Sequence, residues 1–179
     1  MGLIALTARA APVSTVPVDA ERFGRVYREH VRSVWRMLRR LGLDEATTDD
    51  ATQDVFVTAH RRWHEFEGRS SMRTWLLGIA LRVATEHRRK ARRMEPISLE
   101  LPALTPSPHD AAERHQQVEH LMALMQGLPV ELRELLVLVE LEGYSVPEVS
   151  EATGVNLNTL YTRLRAARAR FEALLEGAR

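Results

Sequence analysis

The 179-residue chain contains no cysteine, which excludes disulfides and thiolate metal sites and is compatible with a reducing cytoplasm. It has no apolar run of membrane-spanning length, so no membrane insertion is expected. Residues 1–10, MGLIALTARA, have too short an apolar core for a signal peptide and no serine or threonine at position six for myristoylation. No stretch makes a convincing strand, and no internal repeat is detectable. Paired carboxylates, a nucleophile with its base and a phosphate-cradling glycine loop do not stand out either. That argues against an enzyme, and no cofactor is expected. What remains is a helical sequence, 45% hydrophobic and 27% charged, with enough apolar content for one or two small domains.

The net charge of +1 hides an uneven distribution. From Asp110 to Glu151 acids outnumber bases, whereas from Arg88 to Arg93 five of six residues are basic. Local basic patches, rather than the total, are the quantity that matters for nucleic acid.

The most informative stretch runs from Gly143 to Phe171. Ser145 followed by Glu148 is a capping box, and Pro147 is tolerated in the first turn, where its missing N–H has no partner to lose. Gly154 is expected to end that helix and Asn156 to cap a second one reaching about Leu175. Leu160, Leu164, Ala167, Phe171 and Leu174 recur on the second helix at helical spacing as a buried stripe. Its opposite face carries Asn158, Thr159, Tyr161, Thr162 and Arg165, with Arg163 and Arg168 towards the flanks. From Val155 to Arg170 there are four arginines and no acid. A solvated helix face usually mixes both signs, so this layout points to a DNA-binding helix-turn-helix.

Earlier in the chain, residues 1–18 lack periodicity and are expected to form a flexible tail. Asp19 can cap a helix to Leu41, with Phe23, Tyr27, Val31, Val34, Leu38 and Leu41 on one side and Arg22, Arg25, Arg32, Arg36 and Arg39 on the other. After Gly42, Thr47 or Thr48 is expected to cap a helix to about Trp63, with Ala51, Val55, Ala59 and Trp63 facing the core. Asp49, Asp50, Gln53 and Asp54 load its first turns. The helix dipole favours acids there, so they are equally compatible with a partner surface and with a solvated helix start. His60 and His64 lie one turn apart, but the surrounding pattern offers no third ligand for a metal. A loop with Gly68 leads to a helix from about Met72 to Arg93, whose apolar side is Trp75, Leu76, Ile79 and Val83. Residues 94–110 hold prolines at 96, 102, 106 and 108, and they read as a linker between domains. Helices from Ala111 to Met125 and from Val130 to Glu142 follow, the latter with Leu132, Leu135, Leu136 and Val139 inward.

Three blocks in order then match recognisable words. Residues 49–56 (DDATQDVF), residues 73–80 (RTWLLGIA), and a third set made of Leu128-Pro129, residues 142–145 (EGYS) and residues 159–164 (TLYTRL) with Ala167-Arg168 resemble the extracytoplasmic-function subgroup of bacterial sigma factors. The resemblance covers about residues 20 to 176. It implies an all-α protein of two small domains, 19–93 and 111–179, joined by the linker. It also implies a function, the binding of core RNA polymerase and the direction of transcription initiation under an anti-sigma factor. By that resemblance, Asp49, Asp50, Gln53, Asp54 and Phe56 would dock on the clamp helices of the polymerase's largest subunit. The loop from Phe66 through Arg69 and Ser70 to Ser71 would hold a flipped base of the minus-ten element. Trp75, Arg82, Glu86, Arg88 and Arg89 would lie along the same element and its upstream duplex. Asn158, Thr159, Tyr161, Thr162, Arg163, Arg165 and Arg168 would read the minus-thirty-five element. The chain departs from the family pattern at Arg82 (usually asparagine), Glu86 (aspartate), Ser150 (alanine), Thr153 (leucine) and Tyr161 (often basic). Rival readings are a stand-alone helix-turn-helix regulator acting as a dimer, a helical adaptor without DNA contact, and a hydrolase using His60 and His64. The first two leave the acidic block or the arginine face unexplained.

Overall fold

The computed structural model describes residues 20–94, 121 and 123–177, and every described regular element is helical. In chain order these are α1 (Ala20–Arg40), α2 (Glu45–Arg61), α3 (Met72–Met94), α4 (Val130–Leu136), α5 (Val146–Thr153) and α6 (Leu157–Gly177). A short 3-10 turn, Trp63–Glu65, follows α2, and residues 121 and 123–125 are also helical. The tail at 1–18, the Asp19 cap, the linker beyond Met94 and residues 111–120 of the next expected helix lie outside the described residues.

Helices α1, α2 and α3 pack on one another as the first domain, and α4, α5 and α6 form the second. In α1 the expected stripe is buried from Val34 onward, joined by Met37, while Tyr27 remains exposed at the other end. Helix α3 is covered on more than one side, by α1, α2 and also α5. That is why Leu77, which is off the expected stripe, is as deeply buried as Leu76 and Ala80. A helix packed on several sides cannot be read from a single apolar face.

Two local expectations are corrected. Asp44, not Thr47 or Thr48, caps α2: its Oδ1 accepts from the Thr47 amide at 2.8 Å and its Oδ2 from the Thr47 hydroxyl at 2.6 Å. Those bonds hold the Asp44 carboxyl below its ordinary pKa. Thr48 is instead fully buried, its hydroxyl donating to the Asp44 carbonyl. The expected single helix from Val130 to Glu142 is α-helical only to Leu136 and continues as a π-helical turn, Val137–Leu141. The wider turn rotates Val137 and Leu138 into the core with Leu135 and Leu136, a run of consecutive buried residues that an α-helical period cannot give.

The helix-turn-helix follows its local signals. Ser145 Oγ accepts from the Glu148 amide at 3.4 Å, and Glu148 Oε2 accepts from the Ser145 amide at 2.8 Å. Gly154 closes α5 at φ 72°, a conformation that a Cβ disfavours, and Asn156 Oδ1 accepts from the Asn158 amide. The Ser145 hydroxyl and amide hold the Glu148 carboxyl below the ordinary glutamate range. A carboxyl lowered in the folded state contributes stability above its unfolded pKa, and this is lost as pH falls through the folded value. Ser145→Ala should therefore cost about 1 kcal/mol at neutral pH. The gap between mutant and wild-type unfolding midpoints should narrow on acidification through the glutamate range. A gap that stays constant with pH would show that the box contributes nothing through ionised Glu148.

Candidate nucleic-acid and polymerase interfaces

On the first domain, α1 and α2 leave an apolar groove of about 660 Å³ lined by Phe23, Tyr27, Val31, Trp35 and Phe56, with Asp49 and Gln53 beside them. The acids of α2 differ in freedom. Asp49 Oδ1 accepts from the Trp35 indole at 2.7 Å, and Asp54 Oδ2 lies 2.8 Å from His87 Nε2 on α3. Asp50 and Gln53 are exposed. Phe56 is buried, edge-on to Tyr27, so it forms the floor of this surface and not its outer contact. His60 packs edge-on against Phe23.

A second cavity, about 300 Å³, lies where the Phe66–Ser70 loop meets α3, and Thr74, Trp75, Gly78 and Arg82 form its α3 side. Phe66 and Trp75 meet at a tilt of 51° with centroids 5.3 Å apart, and Trp63 joins them at 6.2 and 6.4 Å. Aromatic pairs of this kind hold a loop through offset or edge-to-face attraction. Arg69 is exposed and pairs with Glu67. Ser71 caps α3, its Oγ accepting from the Thr74 amide at 3.1 Å, so its hydroxyl is already engaged. Phe66, Arg69, Ser70, Trp75 and Arg82 are thus brought together around one cavity. Glu86 and Arg89 are exposed further along α3, while Arg88 is drawn away to form an ion pair with Glu134 of α4.

On the second domain, Leu160, Leu164 and Ala167 of α6 are buried, and Phe171 and Leu174 pack against the same core. Asn158, Thr159, Tyr161, Thr162, Arg163 and Arg165 are exposed. The Thr162 hydroxyl donates to the Asn158 carbonyl at 3.0 Å. Arg168 is exposed but not idle: its Nε and Nη2 donate to Glu140 Oε1 at 2.9 and 2.6 Å. Two departures from the family pattern, Ser150 and Thr153, serve the turn. The Ser150 hydroxyl donates to the Val155 carbonyl at 2.7 Å, and the Thr153 hydroxyl donates to the Val149 carbonyl at 2.6 Å. Hydroxyls at these places supply by hydrogen bonding a turn closure that alanine and leucine cannot.

Neither periodicity nor local motifs signal the contacts between the domains, which join residues 69 to 102 positions apart. The Glu142 side chain is only 3% exposed; Arg40 Nη1 of α1 reaches its Oε1 at 2.6 Å and Arg36 Nη2 lies 3.6 Å from its Oε2. Arg40 also donates to the Leu141 carbonyl at 3.0 Å, and Arg73 of α3 donates to the Glu142 carbonyl. The Arg73 guanidinium stacks 3.9 Å from the centre of the Tyr144 ring. Burial pushes the Tyr144 hydroxyl above its ordinary pKa, while Arg73 pulls it the other way. The Thr74 hydroxyl donates to Glu148 Oε1 at 3.3 Å.

A helix-turn-helix with an acid-free outer face, tied to a second helical domain bearing an acid-edged groove and an aromatic-lined cavity, defines a DNA-binding transcription protein. Residues 26–94 match Sigma-70 region 2, and residues 119–171 match Sigma-70 region 4. The ECF RNA polymerase sigma factor SigM of Mycobacterium tuberculosis is 31% identical over 160 residues, covering 88% of this chain and 79% of SigM. The RNA polymerase sigma factor NccH of Alcaligenes xylosoxydans xylosoxydans is 27% identical over 169 residues, covering 89% of this chain and 90% of NccH. Among solved structures, CnrH in complex with the cytosolic domain of CnrY matches with TM-score 0.67 at 25% identity, over 88% of this chain and 89% of CnrH. The sigma factor RpoE of Bartonella quintana, in complex with the anti-sigma factor NepR, shares the fold with TM-score 0.72 at 20% identity, over 89% and 99% of the two chains. The chain belongs to the extracytoplasmic-function RNA polymerase sigma factors. As such it binds core RNA polymerase and directs promoter recognition and transcription initiation. Sigma factors are specificity subunits and, as a family, not enzymes. Among the described residues no helix is long and apolar enough to cross a membrane.

Proposed function

We propose that the two domains divide the promoter between them. In this reading residues 19–93 take the polymerase and the minus-ten element, residues 111–179 take the minus-thirty-five element, 94–110 link them and 1–18 are a tail. Asp49, Asp50, Gln53 and Asp54 over the Phe56 floor meet the polymerase. The cavity bounded by Phe66, Ser70, Trp75 and Arg82 takes an unstacked base, whose extrusion costs a few kcal/mol that pocket contacts must offset. The protein acts in the cytoplasm, under an anti-sigma factor of the kind NepR is for RpoE.

The observation that carries this reading is the outer face of α6, exposed and free of acids from Asn158 to Arg165 while the opposite face is buried. Such a helix suits a major groove, where its first turns touch base edges. Arg165 lies about 140° around the helix from Leu160, using 100° per residue. A guanidinium paired with a guanine edge contributes roughly 1–3 kcal/mol of discrimination, whereas a phosphate contact strengthens all sequences alike. Arg165→Ala should lose discrimination among minus-thirty-five variants. Arg168, held to Glu140, is the phosphate-type contact: Arg168→Ala should weaken every variant similarly and lower the salt slope by about one. A promoter-variant panel at several salt concentrations tests both. Equal weakening of all variants by Arg165→Ala would mean that α6 is turned differently in the groove.

A further inference from the structure

Two large apolar side chains of the α1–α2 groove face water: Tyr27 is 45% exposed and Val57 is 40% exposed, beside the buried Phe56. Scattered exposed apolar residues are ordinary, but several that line one groove mark a contact surface. The α1 side of the groove is Phe23, Tyr27, Val31 and Trp35, one residue per helical turn. At 1.5 Å per residue that line is about 18 Å long. Asp49 stands at its far end, bonded to the Trp35 indole, with Asp50 next to it, and both acids are exposed.

The chain itself delivers a segment to the near end of this groove. Phe23 lies in the first turn of α1, so whatever precedes Ala20 enters beside it. Residues 1–18 contain no acid, a single base at Arg9, and apolar residues that include Val13, Val16 and Val18. Extended chain advances about 3.3 Å per residue, so about six residues cover the length of the groove. A segment turning back at Pro17 brings Val16 and Val13 over the apolar line. Arg9 then reaches the far end, where Asp49 and Asp50 stand. Length, apolar content and charge match in one register.

We propose that residues 9–18 of this chain dock in the α1–α2 groove, with Val13 and Val16 on its apolar line and Arg9 at Asp49 and Asp50, and that core RNA polymerase must displace them. A weak contact is sufficient, because a tethered segment acts at an effective concentration of millimolar order. Polymerase affinity is then reduced by the fraction of chains whose groove is occupied. That consequence rests on reading the groove as the polymerase contact. The docking itself does not, and it can be measured without polymerase.

With no native cysteine, Val57→Cys puts a single thiol in the groove of the full chain. Its alkylation by a maleimide should be about fivefold slower than in the same chain carrying Val13→Ser and Val16→Ser. The control Ala173→Cys, on an exposed position of α6, should react at one rate in both backgrounds. Arg9→Gln should remove part of the protection and make the remainder insensitive to salt, since the charge attraction is what salt screens. Both valines precede α1, so circular dichroism should be unchanged and a loss of protection is not a loss of fold. Equal groove reactivity with and without the two valines refutes the docking. Protection that rises with protein concentration assigns the groove to a second copy and overturns the intramolecular contact. Core polymerase, measured separately, should bind the Val13→Ser, Val16→Ser chain more tightly by the same factor as the protection lost. Lost protection with unchanged polymerase affinity would leave the docking standing and sink the polymerase assignment of the groove.

Discussion

Reversing the charge at Asp50 and Asp54 together, to lysine, should weaken binding to core RNA polymerase at least tenfold, about 1.4 kcal/mol, with helical content unchanged. Asp50 is exposed on α2, and Asp54 is exposed as well although His87 approaches it at 2.8 Å. Their removal leaves no buried hole, because both side chains are exposed and Thr48, Ala51, Val55 and Ala59 pack into the core on the other face of α2. Two like charges set against a basic partner surface repel where the wild type attracts, so the loss should appear mainly in association and grow at low salt. Competition for core polymerase, with circular dichroism of each variant, measures it. Affinity that stays at the wild-type level in a folded double mutant would remove this face from the polymerase contact. His87→Gln separates the two acids, since it releases Asp54 without altering Asp50.

The second large effect belongs to the core of the helix-turn-helix. Leu164 is 4% exposed in α6, beside Leu160 and Ala167, and α6 packs on α4 and α5. Leu164→Ala should destabilise the second domain by about 2–5 kcal/mol, combining lost transfer energy with an unfilled cavity. A domain of marginal stability loses much of its folded population at that cost. Denaturant unfolding gives the value, and Arg165→Ala, one residue along and exposed, is the control that should stay within about 0.5 kcal/mol of wild type. The neighbours then divide: Leu164 affects stability, and Arg165 affects sequence discrimination. If Leu164→Ala unfolds like wild type, α6 is not held by this stripe.

The local chemistry of the chain was legible without coordinates. Ser145, Glu148, Pro147, Gly154 and Asn156 act within a few residues of themselves, so spacing alone announces the two helices and the turn between them. The Leu160–Leu164–Ala167 stripe is likewise a repeat along one helix, visible because burial has the period of the backbone. The order of the three motif blocks carried the family, and with it the all-α, two-domain architecture. Some local details were missed because several residue types could do the same job. Asp44 outcompeted Thr47 and Thr48 as a cap because its carboxylate binds both the amide and the hydroxyl of Thr47.

Only the tertiary structure decided which charges meet. Arg40 and Glu142 are 102 positions apart, Thr74 and Glu148 are 74 apart, and no periodicity links residues at such separations. Sequence placed Arg36 and Arg39 on one arginine face of α1. The fold turns Arg36 and Arg40 to Glu142, and Arg39 to the Leu43 carbonyl and the Trp35 ring. It also set Arg168 against Glu140 and Arg88 against Glu134, and it made Gly78 a point of contact between helices. Helix formation depends on neighbours along the chain, and its signals stay local. Ion pairing and close approach depend on where whole helices stand, which no stretch of this sequence specifies alone.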